Sequence, residues 1–136
     1  MISRLAAPYR AVDIGLDDKR HRLLFTLRGP VTGPEVCARL CELYIQQPEL
    51  TGYDYVFDLR EYSGDVEAAH LEPIAQIYAG VRVPEAESVR TAFVTLDPNF
   101  ELWATAMDFQ FPGREHRVFL SMAEAEAFLR PEPTAA

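Results

Sequence analysis

Polar side chains that could bind a ligand or move a proton gather after two predicted strands. Asp58 lies near the end of the apolar stretch 53–59, and further polar residues follow in loops, namely Glu61, Tyr62, Ser63, Asp97 and Asn99. Ligand sites in open α/β sheets lie outside the carboxyl ends of the strands. The spacing therefore predicts a small polar crevice at that edge of the sheet.

This crevice lacks the pair of groups that nucleophilic catalysis needs. A serine nucleophile is activated by a neighbouring base, and no histidine or cysteine accompanies Ser63 in the sequence. The glycine-rich fingerprints of nucleotide binding are also absent. We therefore expect a non-catalytic protein without a cofactor.

The histidines and cysteines have no spacing typical of a metal site. His21, His70 and His116 are far apart, and we expect them to face solvent. Cys37 and Cys41 share one face of a predicted helix, where thiols pack as small apolar side chains. The sequence therefore predicts no metal site.

Two apolar stripes run along the predicted helix at 100–111. The first comprises Phe100, Trp103, Met107 and Phe111, and the second comprises Leu102, Ala106 and Phe109. A surface helix needs only one such stripe. The extra apolar surface could contact another subunit, or it could lie under the loop at 81–87 and the last helix. Alternatively, Trp103, Met107 and Phe109 line a pocket for a small apolar ligand.

The elements that would position these residues follow the order β-β-α-β-α-β-α-β-α. Strands are predicted at 9–15, 21–28, 53–59, 88–96 and 116–120, and the first two form an antiparallel hairpin. Capping residues predict helices after Thr32, Asp97 and Ser121. Pro73 predicts either an irregular turn over 65–71 or a second helix whose regular part starts near Glu72. Strand–helix–strand units imply parallel strands. The fold class is therefore α/β, with a mostly parallel five-stranded sheet and an antiparallel first strand.

Length and charge exclude several classes of protein. With 136 residues the chain forms one domain over 1–136, structured over about 9–130, with a tail at 131–136. Acidic residues outnumber basic ones by 21 to 13, and the net charge of −8 argues against nucleic-acid binding. No apolar run is long enough to span a membrane, and no signal peptide is recognisable. We expect a cytoplasmic protein.

Three segments resemble the SpoIIAA-like proteins of the STAS superfamily, whose founding members are anti-sigma-factor antagonists. These segments are 55–64 (YVFDLREYSG), 90–98 (RTAFVTLDP) and 117–129 (RVFLSMAEAEAFL), together with an aromatic helix that contains Trp103. The resemblance covers about residues 9–130. It implies a short twisted sheet with helices mainly on one side.

The same resemblance implies a possible phosphorylation switch. In the antagonists, a serine preceded by aspartate opens the helix after the central strand, and a partner kinase phosphorylates it. The matching positions fall near Val66 and Glu67, which are neither serine nor threonine, and Ser63 is the nearest candidate phosphosite.

We expect a protein-interaction or regulatory module that forms a homodimer. The alternatives are a carrier or sensor of a small apolar ligand, and a phospho-regulated anti-sigma-factor antagonist.

Overall fold

The computed structural model describes residues 3–4, 12–84 and 89–133. Its strands are β1 (Ser3–Arg4), β2 (Val12–Asp17), β3 (Arg22–Gly29), β4 (Asp54–Tyr62), β5 (Val89–Val94) and β6 (Arg114–Phe119). Its helices are α1 (Gly33–Gln46), α2 (Ala68–Val81), α3 (Phe100–Gln110) and α4 (Met122–Phe128), and a short 3-10 turn covers Pro48–Gly52. None of these helices has the length and apolarity needed to cross a bilayer.

The strands form one sheet in the order β1-β2-β3-β4-β5-β6. The first three strands are antiparallel neighbours, and β3 to β6 are parallel. The predicted α/β order is confirmed, and so is the antiparallel pairing of the first predicted strand, which corresponds to β2. The two-residue β1 is an addition to the five predicted strands. Right-handed crossovers that all step in the same direction place α1, α2 and α3 on one face of the sheet.

The face covered by α1, α2 and α3 carries the larger part of the core. Successive side chains of a strand point to opposite faces, so that Phe25, Phe57 and Phe93 form a row across β3, β4 and β5. Their ring centroids are 4.3 Å and 5.3 Å apart. The opposite face packs on α4 through a smaller cluster, which consists of Val56, Ala92, Val94, Ala125 and Leu129.

Two of the predicted helix starts have the expected caps. The Thr32 hydroxyl accepts a hydrogen bond from the Glu35 amide at the start of α1, and the Ser121 hydroxyl accepts one from the Glu124 amide at the start of α4. The third start is shifted, because α3 begins at Phe100 and its N-cap is Asn99.

The prediction that α2 starts near Glu72 is wrong, because the helix begins at Ala68. Its N-cap is Glu67, whose carbonyl accepts from the His70 amide at 3.0 Å while the His70 Nδ1 accepts from the Glu67 amide at 2.9 Å. Pro73 lies inside the helix on its exposed side. The carbonyl that loses its helical partner, that of Ala69, is also on an exposed residue, and water can satisfy it.

Candidate functional site

A cavity of about 260 Å³ lies between the sheet and the three helices on its larger face. Its floor is aromatic and is formed mainly by Tyr55, Phe57 and Phe93. One wall comes from α1 and α2, and the other comes from α3. The wall residues include Val36, Leu40, Leu71, Ile74, Phe100, Trp103, Met107 and Phe111.

The mouth of the cavity lies at the carboxyl edge of the sheet. Tyr62, Val66 and Asp97 line this end, and all three are exposed or half-exposed. The Tyr62 hydroxyl donates to the Val31 carbonyl at 3.3 Å and accepts from the Val66 amide at 3.2 Å. Gly64 fits here because a Cβ at this position would lie 2.0 Å from the Val31 carbonyl oxygen. These contacts fix the loop after β4 beside the opening.

The two stripes of α3 have different surroundings. Trp103 and Met107 of the first stripe line the cavity, and Met107 is buried. In the second stripe, Leu102 is 74% exposed and Phe109 is 83% exposed. Of the three residues expected to line an apolar pocket, Trp103 and Met107 do so, whereas Phe109 points away from the cavity.

The predicted polar crevice does not form as one group. Tyr62 and Asp97 line the cavity mouth, whereas Glu61, Ser63 and Asn99 are exposed and lie outside the cavity lining.

Asp58 has its side chain on the opposite face of the sheet, because its neighbours Phe57 and Leu59 face the cavity. Its carboxylate accepts hydrogen bonds from the Arg60 side chain at 2.8 Å and 2.9 Å. Those bonds hold the pKa of Asp58 below its ordinary value.

The candidate phosphosite Ser63 lies in the exposed loop after β4, and its amide donates to the Gly29 carbonyl at 3.0 Å. The start of α2, where the resemblance implies a phosphorylated serine, carries the Glu67 carboxylate instead.

At its inner end the cavity meets a buried arginine, Arg114, which is 4% exposed. Its guanidinium lies 3.7 Å from the centroid of the Tyr55 ring. All five of its N–H groups have acceptors, which are the carbonyls of Thr51, Tyr53 and Arg90 and the hydroxyls of Tyr78 and Thr91. Arg114, the first residue of β6, therefore forms hydrogen bonds with residues at the starts of β4 and β5.

The second buried polar group at the inner end is His116, which is 6% exposed. Its Nδ1 lies 2.9 Å from Asp108 Oδ1, and the same oxygen accepts from the His116 backbone amide at 2.8 Å. Burial lowers the pKa of His116 from 6.5 to about 4, although Asp108 acts in the opposite direction. The imidazole is therefore neutral at pH 7.

The expectation that the histidines face solvent is wrong for His116. The sequence pattern that bears on the position of His116 is the alternation in β6, which puts Arg114, His116 and Val118 on one face of the strand. That face is buried because α3 turns back over it through Gly113, which has a φ of +89°.

Cys37 and Cys41 are half-buried on α1, and their sulfur atoms are 3.9 Å apart. Burial is the main cause that raises the pKa of the Cys41 thiol to about 11, so this group stays protonated at neutral pH. Within residues 3–4, 12–84 and 89–133, no cluster of three or more histidine, cysteine or acidic side chains could hold a metal ion.

No protein-family model and no curated protein matches the chain. Among solved structures, it is similar to an uncharacterised protein of the DUF3478 family from Shewanella loihica, which has a SpoIIAA-like fold. The two chains are 16% identical, with a TM-score of 0.60 and coverage of 93% of this chain and 99% of the other. At this identity the likeness shows the fold alone. The chain therefore has the SpoIIAA-like α/β fold that the sequence resemblance implies.

Proposed function

We propose that this protein binds a small apolar molecule in the cavity, as a carrier or a sensor. The observation that carries the proposal is the cavity itself, with its aromatic floor and its mouth at the carboxyl edge of the sheet. Small-molecule sites are typically concave and lined mainly by apolar and aromatic side chains, with a few polar groups. Tyr62, Thr91 and His116 are such polar groups here.

The volume of the cavity limits the size of the ligand. An apolar cavity of about 150 Å³ holds one benzene molecule. A cavity of about 260 Å³ therefore suits a molecule of two fused rings. Trp103, the single tryptophan of the chain, lies in the wall and offers a large flat contact surface.

Thermal unfolding in the presence of one- and two-ring hydrocarbons tests this function. Binding to the folded state alone should raise the unfolding temperature by about 5 °C at ten times the dissociation constant. Met107→Trp places a larger side chain in the cavity, which reduces the space for a two-ring ligand and should reduce the shift. Ala106→Trp adds the same side chain on the exposed side of α3 and should leave the shift unchanged.

The contrary result would be an unfolding temperature that no hydrocarbon changes, together with a Met107→Trp variant that is more stable than the wild type. The cavity would then be a packing void that a larger side chain simply fills.

A second candidate function is self-association through the outer face of α3, which would make the protein a dimeric interaction module. The exposure of Leu102 and Phe109 favours it, because aromatic and apolar side chains form the centre of dimer interfaces. A two-fold interface would bring the same patch of both copies together.

Sedimentation equilibrium tests the dimer. We expect twice the monomer mass for the wild type and the monomer mass for the double variant Leu102→Ser with Phe109→Ser. A wild type that stays monomeric at high protein concentration would reject this candidate and would leave the proposed cavity function in place.

A further inference from the structure

We propose that the ligand of this cavity is a neutral alcohol or phenol, whose hydroxyl donates a hydrogen bond to His116 Nε2 and accepts one from the Thr91 hydroxyl. The inference rests on the proposed ligand-binding function and names the chemical class of the ligand. It is carried by two polar atoms at the inner end of an otherwise mainly apolar cavity.

The first atom is Nε2 of His116, which acts as an acceptor. The Asp108 carboxylate beside Nδ1 can only accept a hydrogen bond, so the ring proton of the neutral imidazole is on Nδ1. Nε2 then carries a lone pair. In the described part of the chain, no atom forms a hydrogen bond with Nε2.

The second atom is the Thr91 hydroxyl, which lies on the neighbouring strand directly opposite His116. Its oxygen accepts a hydrogen bond from Arg114 Nη1 at 3.0 Å. Within the described residues its proton has no acceptor. Thr91 therefore offers a donor beside the acceptor of His116, and a hydroxyl group, which both donates and accepts, matches this pair.

A carboxylate ligand fits the same position poorly. The Arg114 guanidinium is close, but protein acceptors occupy all five of its N–H groups. The Tyr55 and Tyr62 hydroxyls donate to the carbonyls of Leu50 and Val31. The oxygens of an anion would therefore lie against the Nε2 lone pair, which repels them. The Thr91 hydroxyl would be the donor available to offset this repulsion.

Titration calorimetry at pH 7 with three naphthalene derivatives of similar shape tests the inference. We expect 1-naphthol to bind about tenfold more tightly than 1-methylnaphthalene, because the two hydrogen bonds are made by the hydroxyl and not by the methyl group. The anion 1-naphthoate should bind more weakly than 1-naphthol. Nitrogen NMR of the wild type should show a shift of the Nε2 resonance with 1-naphthol and none with 1-methylnaphthalene.

Single-residue variants test which side chains cause the preference for 1-naphthol over 1-methylnaphthalene. His116→Leu and Thr91→Val should each reduce the tenfold difference, whereas Thr95→Val, which also changes a cavity-lining threonine, should preserve it. Equal affinity of 1-naphthol and 1-methylnaphthalene with an unchanged Nε2 resonance, or tighter binding of the anion, would overturn the inference while the cavity still binds ligands. Failure of all three compounds to bind would instead reject the proposed function.

Discussion

Replacing Arg114 with methionine should lower the free energy of unfolding by about 4 kcal/mol, a large part of the roughly 5–15 kcal/mol that stabilises a typical domain. The methionine side chain fills much of the same volume but donates no hydrogen bond. The part-buried carbonyls of Tyr53 and Arg90 would lose a charged donor, and the buried carbonyl of Thr51 would keep only the Tyr78 hydroxyl. Each buried acceptor left without a partner costs about 1–3 kcal/mol.

Urea unfolding followed by circular dichroism measures this loss as a lower midpoint. Arg117→Met is the matched control, since Arg117 is on the same strand, its side chain is 60% exposed and its ion pair with Glu115 lies at the surface. The control should change the free energy of unfolding by less than about 0.5 kcal/mol. Similar midpoints for the two variants would show that Arg114 does not hold the strand starts together.

Between pH 6.5 and pH 4 the protein should lose about 3 kcal/mol of stability through His116. The pKa of this side chain is 6.5 in the unfolded chain and about 4 in the folded one, and each pKa unit corresponds to about 1.4 kcal/mol. In this range the unfolded state binds the proton more readily, so stability falls as pH falls. The contribution is fully present well above pH 6.5 and is lost as the pH falls through about 4.

The variant His116→Phe isolates this effect, because a phenyl ring does not titrate and can occupy the site between Phe93 and Phe111. Carboxylates also titrate near pH 4, but they do so in both proteins. The difference between the unfolding free energies of wild type and variant should therefore change by about 3 kcal/mol from pH 7 to pH 4. A constant difference across this range would mean that His116 is protonated equally easily in the folded and unfolded states.

Much of the fold could be predicted because its signals are local. The alternation of apolar residues in β3 indicates a strand with one more deeply buried face, and the continuous apolar run at 55–57 in β4 indicates a central strand buried on both faces. Thr32 and Ser121 mark the starts of α1 and α4 because their hydroxyls satisfy amides three residues later. The start of α2 could not be predicted in this way, since its cap pairs Glu67 with His70 instead of a hydroxyl with a carboxylate.

The site depends on contacts that are distant in sequence. The alternation in β6 places Arg114 and His116 on one face, but only the return of α3 decides that this face is buried. The acceptors of Arg114 come from residues 23 to 63 positions away. A cavity depends on how completely facing side chains fill a volume, and the spacing of residues carries no such information.

The carboxylate of Asp108 also affects how this protein can assemble. β6 is the last strand of the sheet, and the backbone groups of such a strand can pair with a strand of another molecule. The His116 amide already donates a hydrogen bond to the Asp108 carboxylate, and the Arg114 amide already donates one to the Phe111 carbonyl. An incoming strand would have to displace both and pass a negative charge. The first half of this edge is therefore obstructed against pairing with a strand of another molecule, and association through a helix face leaves that obstruction intact.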